Sequence, residues 1–540
     1  LIDVNLQNSN IQITKNKNEI FVNTRLNTQA KIKNVNDFLN TFGLLINKEL
    51  ININSISFDL INNISFIVKK GFKIENFVIN GKGTIDNINL NHNFKKYTNR
   101  FNDNIQKEIS FNSNKVSYSL KSKIIKFESN GLIKLTKESE KFITKINYNS
   151  ETKQLNFNSE MDINFLDIKI ASLNYKKEVN DPAKIILVGK LNENKKNKLN
   201  LLEFYESKNK ILFKNVIFDE KNKIENFDEF IIITRKNNSV NNNFKIKKVS
   251  NKFIISGNKY DASYLLNTLH KGDDKNLLSK KFNGNFKINI DEIIADKNDK
   301  LYDFSAISNY KKGKQFKLSA KANFSDTEFV DISITPKESG KKNLVVFSDR
   351  AAPFIQNLKF IKGFQGGKLE YVSNFDERKS ISKLKITDFK LQDVPVLAKL
   401  LTLASLQGIA DLLTGEGIRF KELDMDFNSN KNLITIDEMY AIGPSISILM
   451  SGYIEKDKLV SLRGTLVPAS TLQKNLGFIP IIGDILVGKK PGEGIFGVSF
   501  KIKGHPKKMK TTVNPIKTLT PRFITRTLEK IKKTNNQNSN

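Results

Sequence analysis

Phe286-Lys-Ile-Asn-Ile290 places apolar side chains at alternate positions, with a lysine and an asparagine between them. A period of two is the pattern of a β-strand with one apolar and one polar face. Short turns rich in Asn, Asp, Lys and Gly separate such runs. The sequence therefore predicts a mainly β protein. Further runs of this kind are Val116-Ser-Tyr-Ser-Leu120, Phe142-Ile-Thr-Lys-Ile146, Phe244-Lys-Ile246, Phe316-Lys-Leu-Ser-Ala320 and Val498-Ser-Phe-Lys-Ile502.

Two architectures satisfy this pattern, because an antiparallel sheet with one apolar face must cover that face. A β-sandwich covers it with a second sheet, and closed cores of this kind are the commoner arrangement. A single long, twisted antiparallel sheet curled into a groove covers it with another apolar material, such as lipid chains. The alternation alone leaves both architectures open.

Helical segments are few, and they concentrate in the C-terminal third. The last of them alternates basic and apolar residues, which fits either a membrane-surface helix or a terminal helix packed on the sheet. The amino-acid composition becomes richer in Gly and Pro in the C-terminal part of the chain, which predicts a domain boundary near residue 345. We therefore expect a repetitive β region over 1–345, a distinct C-terminal region over 346–533 and a disordered tail over 534–540. The predicted helices cover residues 260–269, 353–360, 394–413, 469–476 and 521–533.

Composition argues against several classes of function. The chain has no cysteine and only three histidines, so disulfides, thiolate metal sites and a histidine-rich metal site are not expected, nor is a cofactor. Its net charge of +32 comes from lysines spread through nearly every strand, whereas nucleic-acid binding needs a concentrated basic face. The Gly363–Lys368 segment lacks the spacing of a phosphate-binding loop, and no carboxylate pair has a recognisable catalytic context. We expect a protein that is not an enzyme and does not bind nucleic acid.

A set of ordered motifs lies between about residues 345 and 535. Together they resemble the C-terminal region of the AsmA-like family, large bacterial envelope proteins of the bridge-like lipid transfer type, and the preceding residues resemble the central part of its larger members. The chain departs from the family at His505-Pro506 and at Thr520-Pro-Arg522. The motifs are Asp349 to Leu369, Asp388-Phe389, Asp393-Val-Pro395, Leu400-Leu401, Gly408-Ile-Ala-Asp-Leu-Leu-Thr-Gly-Glu-Gly-Ile-Arg-Phe420, Gly443-Pro-Ser445, Gly464-Thr-Leu-Val-Pro468, Ile479-Pro-Ile-Ile-Gly-Asp484, Gly492-Glu-Gly-Ile-Phe-Gly497 and Asn514-Pro515.

The resemblance implies a periplasmic protein anchored in the inner membrane by an N-terminal segment that this chain does not include. It implies phospholipids as the cargo, a membrane surface at one or both ends, and a curled sheet whose apolar inner face carries acyl chains between the inner and outer membranes. Envelope proteins are further candidate partners.

The inward-facing apolar residues of the strands are the candidate groove lining, and those of two helical segments are candidates for a membrane contact or a groove end. The lining candidates are Phe142, Ile146, Phe165, Phe244, Ile246, Phe286, Ile288, Phe316, Leu318, Phe324, Val498, Phe500 and Ile502. The helix candidates are Leu397, Leu400, Leu401, Leu412, Phe523 and Leu528.

Two other functions remain as alternatives. One is an envelope assembly or scaffold factor for outer-membrane biogenesis, which would have a closed β core and a partner-binding surface. The other is an extracellular β-solenoid or carbohydrate-active protein, which should show a regular coil length or a cleft with paired carboxylates. Neither of those two features is visible in the sequence.

Overall fold

The computed structural model describes most of the chain. The described residues are 2–16, 19–36, 51–92, 105–192, 196–264, 278–295, 299–337, 340–355, 363–376, 378–392, 395–403, 415–430, 432–468, 497–506 and 508–516.

Strands account for nearly all of the regular structure. The first half of the chain contains β1 (Ile2–Asn16), β2 (Glu19–Lys33), β3 (Ile51–Lys69), β4 (Lys73–His92), β5 (Glu108–Lys121), β6 (Ile124–Lys134), β7 (Glu140–Asn149), β8 (Gln154–Asp162), β9 (Ile168–Ile170), β10 (Tyr175–Lys177), β11 (Ala183–Asn192), β12 (Lys198–Glu206), β13 (Asn209–Phe218), β14 (Ile224–Asn226), β15 (Glu229–Lys236), β16 (Ser239–Val249) and β17 (Lys252–Asp261).

The second half is also mainly strand, and it contains both of the named α-helices. Its elements are β18 (Gly284–Ile294), β19 (Lys300–Lys311), β20 (Lys314–Asn323), β21 (Phe329–Pro336), β22 (Lys342–Ser348), α1 (Ala352–Ile355), β23 (Gly363–Phe375), β24 (Lys379–Gln392), α2 (Pro395–Leu403), β25 (Ile418–Asn430), β26 (Leu433–Ile442), β27 (Ile446–Glu455), β28 (Leu459–Pro468), β29 (Gly497–His505) and β30 (Lys508–Ile516).

Twenty-eight strands belong to one mixed sheet, and β9 and β10 form a separate two-stranded ribbon. Strands that follow one another in the chain mostly pair with each other, as β5, β6, β7 and β8 do. The prediction of a mainly β chain built on one long sheet with few short helices is confirmed. The curling of this sheet into a groove stays a prediction.

One strand pair departs from the antiparallel arrangement predicted from sequence. β17 and β18 run parallel, with Phe253 opposite Phe286 and Tyr260 opposite Ile293. A parallel pair needs a crossover of about a dozen residues or more, and residues 262–283 supply a connection of that size. The alternating pattern of the two strands carries no information on their relative direction.

The predicted helix over 260–269 is wrong at its start, because Tyr260 and Asp261 end β17 and pair with β18. Helix α1 lies inside the predicted segment 353–360, and α2 lies inside 394–413. The predicted helices 469–476 and 521–533 and the predicted tail lie outside the described residues.

Contacts divide the chain into two compact units. The first consists of Leu1–Leu265, Asp274–Ile294 and Tyr310–Lys314, and the second of Leu266–Asp273, Ala295–Asn309 and Gln315–Asn540. The change in composition near residue 345 falls inside the second unit, in β22.

Candidate functional site: the apolar faces of the two units

A transverse row of large apolar side chains crosses seven strands of the first unit. Each residue lies directly opposite the next in the strand register, so the row runs across the strands. All seven are half-buried, and we call them the central stripe. Its residues are Leu187, Leu202, Phe213, Phe230, Ile246, Ile255 and Ile288.

The row on one side of the central stripe is mostly buried, and the row on the other side is buried at some of its strands. On one side Phe204, Ile211 and Phe244 are at most 9% exposed. On the other side Val216 and Phe253 are each 2% exposed. A second sheet packed on this face would bury its middle most deeply, because the centre of a packed layer is furthest from water. Here the middle keeps the greater access, so large apolar groups are available to a ligand.

A segment that crosses the sheet covers the Phe204 side of the stripe. This segment, residues 163–177, contains the β9–β10 ribbon and a 3-10 turn, and we call it the strap. Its side chains Leu166, Leu173 and Tyr175 pack in the same buried cluster as Phe142 and Phe204. The strap therefore closes one side of the apolar face of the first unit.

Two buried charged groups hold the first part of the strap in place. The Glu140 carboxylate accepts hydrogen bonds from the Phe165 N–H (2.6 Å) and the Asn164 side chain (3.0 Å). Burial raises the pKa of Glu140, and the Phe165 N–H opposes that change. Lys177 is completely buried and donates to the carbonyls of Asn164, Leu166 and Glu178 at 2.7, 3.0 and 2.9 Å. Burial lowers the pKa of Lys177, whereas the nearby Asp181 and Glu140 carboxylates oppose this change.

Polar contacts to several strands hold the second part of the strap. The Tyr175 hydroxyl donates to Glu206 of β12 at 2.9 Å. Asn241 and Asn242 of β16 both donate to the Leu173 carbonyl, at 3.2 and 2.6 Å. Since these partners lie on separate strands, the strap is fixed across the sheet and not only at its own ends.

An aromatic cluster closes the other side of the central stripe. Phe227 stacks on Phe230 with ring centroids 4.0 Å apart, and Phe253 stacks on Phe286 at 4.9 Å. Tyr310 meets Phe286 edge-on at 5.3 Å, and burial raises the pKa of Tyr310. The stripe thus lies between two well-packed walls, both built from side chains of the first unit.

The second unit carries a row of the same kind, which contains three methionines. Tyr371, Leu384, Met425, Met439 and Met450 lie opposite one another on β23 to β27, and all five are half-buried. Methionine is flexible and polarizable, so it adapts to irregular apolar partners. The row provides a deformable apolar surface.

The row of the second unit continues through a glycine to Phe500. Gly464 lies opposite both Met450 and Phe500. A Cβ atom at position 464 would come within 2.5 Å of the Phe500 ring, so only glycine lets that ring lie over the strand. This close approach gives the Gly464-Thr-Leu-Val-Pro468 motif a packing role.

Helix α2 covers one end of the apolar face of the second unit. Leu397, Leu400 and Leu401 have the i, i+3, i+4 spacing of one helix face, and they are 7%, 4% and 0% exposed. They belong to the same buried cluster as Phe364, Phe389 and Phe420. The three leucines therefore face the strands, while Leu412, Phe523 and Leu528 lie outside the described residues.

The opposite face of the sheet is polar and carries ion pairs between neighbouring strands. Lys145 lies 3.4 Å from Glu128, Lys214 lies 2.7 Å from Glu229 and Lys383 lies 3.8 Å from Asp426. These lysines are more than a third exposed, so the pairs contribute little to stability. Their charge keeps this face hydrated and leaves the other face as the one suited to an apolar ligand.

Most of the predicted lining residues lie on the apolar faces, but at different depths. Ile146, Ile246, Phe286, Ile288, Phe316 and Leu318 are half-buried, whereas Phe142, Phe244, Phe324, Val498, Phe500 and Ile502 are buried. Phe165 lies in the strap and not on a strand, because β8 ends at Asp162 and a turn follows.

Sequence reasoning missed most of the central stripe and the methionine row. In several of these strands apolar residues are adjacent as well as alternate, as in Ile231-Ile-Ile233, which hides which face is inward. The position of each residue opposite the next is set by strand register, and this could not be obtained before the pairing was known.

Candidate metal sites and candidate membrane-spanning helices are both absent from the described part of the chain. Within it, no group of three or more His, Cys, Asp or Glu side chains could hold a metal ion. Among the helices that the structure describes, none has the length and apolar character needed to cross a membrane.

Comparison with protein-family models, with curated proteins and with solved structures finds no match to this chain.

Proposed function

We propose that this protein is a non-enzymatic phospholipid conduit of the AsmA-like kind, acting in the periplasm between the inner and outer membranes. Acyl chains would lie on the apolar faces of the sheet, and head groups would remain near water. The observation that carries this proposal is the central stripe, whose large apolar side chains are only half-buried between two packed walls.

The central stripe is about as long as two acyl chains placed end to end. Its seven strands span six gaps of about 4.8 Å, or about 29 Å in total. This is close to the roughly 30 Å hydrocarbon thickness of a bilayer, which two opposed acyl chains fill. Each buried methylene contributes roughly 0.8 kcal/mol. An acyl chain that lies along the stripe would therefore be bound mainly by the hydrophobic effect.

A row without strong polar anchors suits transfer better than storage. Neighbouring positions along the stripe offer similar apolar contacts from Leu, Ile and Phe, so the free energy of a bound chain changes little between them. The proposal includes membrane surfaces at one or both ends of the conduit and anchoring of the protein in the inner membrane. The envelope-scaffold alternative requires instead that the apolar faces hold no lipid.

The first test compares charged substitutions on the two faces of one strand. In β7, Ile146 is half-buried on the apolar face, whereas Ile143 lies on the polar face and is 42% exposed. We expect Ile146→Asp to lower the phospholipid that co-purifies with the detergent-free protein at least about threefold, because a carboxylate among acyl chains is strongly disfavoured. Ile143→Asp should leave bound lipid unchanged, as measured by mass spectrometry of extracted lipid.

The second unit offers an equivalent pair in β24. Leu384 lies in the methionine-containing row, and Ile381 lies on the polar face and is 65% exposed. Circular dichroism and urea unfolding would confirm that each variant remains folded. A stable wild-type protein that purifies without phospholipid would overturn the conduit proposal and favour the envelope scaffold.

A further inference from the structure

A row of small side chains crosses the apolar face of the first unit from β4 to β8. Gly83, Val116, Ser129, Thr144 and Ser159 lie opposite one another in consecutive strands. The adjacent row, on the side away from the strap, consists of larger side chains: Tyr118, Phe127, Ile146 and Phe157. The small row is therefore a shallow trough beside a ridge, and three of its members carry hydroxyl groups.

A buried amide without a partner lies at the edge of this trough. Asn114 is 2% exposed, and among the described residues neither its Oδ1 nor its Nδ2 has a hydrogen-bond partner. Its Oδ1 lies 2.1 Å from the position that a Cβ atom would take at Gly131, two residues from Ser129. A β-bulge between Asn112 and Lys115 turns Asn114 onto this face. Buried amides are normally satisfied, so this one calls for a ligand atom.

Two hydroxyls of the trough, on the two strands that follow the Gly131 strand, have donor capacity to spare. The Thr144 and Ser159 oxygens are 2.7 Å apart, and one hydroxyl hydrogen makes that bond. The other hydroxyl hydrogen can donate to a further acceptor. Together with the Asn114 Nδ2 group, the trough offers donors from two directions.

The charge of the surroundings limits the class of ligand. The inward positions of β5 to β8 hold no lysine or arginine, and their one carboxylate, Glu140, already binds the Phe165 N–H. A phosphate or a carboxylate would be buried here without a cation, which is costly. A neutral acceptor such as an ester carbonyl fits these donors.

We propose that Asn114, Thr144 and Ser159 form a docking position for the ester carbonyls of the glycerol backbone of a phospholipid, whose chains lie on the apolar rows beside it. This inference rests on the proposed lipid function and adds to it a position where the cargo is held in register.

The test is a competition between two phospholipids of equal chain length. The detergent-free full chain is incubated with vesicles that contain equal amounts of diacyl phosphatidylglycerol and its dialkyl ether analogue, which lacks the carbonyls. Bound lipid is then extracted and identified by mass spectrometry. We expect the wild type to retain the ester form about fivefold over the ether form, the factor given by one hydrogen bond of about 1 kcal/mol.

Two variants assign this preference to the trough. Asn114→Leu should bring the ester-to-ether ratio to about one without lowering the total lipid bound. Thr144→Val, which keeps the shape of the side chain, should lower the ratio as well and guards against a folding defect in the first variant. Asn147→Leu, on the exposed face of β7, is the matched control and should keep the wild-type ratio.

The possible outcomes separate the two proposals. Equal retention of both lipids by the wild type would overturn the docking position and leave the conduit in place. Retention of neither lipid would overturn the conduit, and the docking position with it. An ester preference that survives both Asn114→Leu and Thr144→Val would show that the carbonyl is recognised elsewhere.

Discussion

Lys177 determines how the strap is held, because its ammonium group donates to the Asn164 and Leu166 carbonyls of the strap and to the Glu178 carbonyl just after it. Replacement by methionine keeps the volume but removes the donor to the Leu166 carbonyl. The other two carbonyls keep a backbone donor, since the Asn180 N–H donates to Asn164 at 3.0 Å and the Asp181 N–H to Glu178 at 3.4 Å. We expect Lys177→Met to lower the free energy of unfolding of the first unit by about 2 kcal/mol, given about 1–3 kcal/mol for one unsatisfied buried group. Urea unfolding measures this loss, and hydrogen exchange of the strap should rise with it.

The neighbouring lysine is the matched control for this prediction. Lys176 is exposed and forms an ion pair with Glu178 at 2.7 Å. Lys176→Met should change stability by less than about 0.5 kcal/mol, because exposed pairs contribute little. Equal losses in the two variants would contradict the role assigned to the buried ammonium.

At single positions, sequence could identify the face but not the depth. Alternation correctly separates Phe316 and Leu318 from the exposed Lys317 between them. Alternation does not predict that Phe142 and Phe244 are buried beneath the strap. The strap has no repeating pattern, and its position depends on contacts with side chains such as Glu140 and Asn242. Phe165, a predicted lining residue, lies in this same non-repeating segment because β8 ends at Asp162.

At the level of elements, the alternating pattern of a strand does not determine which strands it pairs with or in which direction. The parallel pairing of β17 with β18 and the bulge that turns Asn114 inward are both consequences of pairing and not of local propensity. The predicted α2 was found because Leu397, Leu400 and Leu401 have helical spacing. That spacing does not distinguish a helix packed on strands from one at a membrane surface.

The loop that joins β22 to α1 is fixed by charged groups and gives a prediction on pH. The Arg350 guanidinium donates to the Glu328 carboxylate at 2.8 Å through Nε, and this bond lowers the pKa of Glu328 below 4.5. The ionised form is favoured by folding, so its contribution is present above pH 4.5 and is lost as pH falls through the lowered pKa. Glu328→Gln should therefore weaken the decline in urea midpoint below that pH.

The control for this pH dependence lies on the same loop. The Asp349 carboxylate accepts a hydrogen bond from the Phe329 N–H at 3.1 Å and forms an ion pair with Lys368 at 3.0 Å. The Glu328→Gln substitution leaves both of these interactions in place. The pKa of Asp349 is lowered: burial would raise it, but the Phe329 N–H and Lys368 outweigh that effect. The Glu328→Gln variant should therefore keep part of the dependence of stability on acid pH. An acid limb identical to that of the wild type would exclude Glu328 as a contributor.

For the whole molecule, the family resemblance predicted one long sheet with an apolar face, and the conduit proposal predicts that both units take part in the transfer of the same lipid. A single path predicts that a block in either unit stops transfer. We expect Ile146→Asp in the first unit and Leu384→Asp in the second each to abolish phospholipid transfer from labelled donor vesicles to acceptor vesicles, and the double variant to do no more. This non-additivity is expected for sites that act in one process. Ile143→Asp and Ile381→Asp control for charge. If the two units instead carry lipid independently, each single block should leave about half of the rate and the two losses should add.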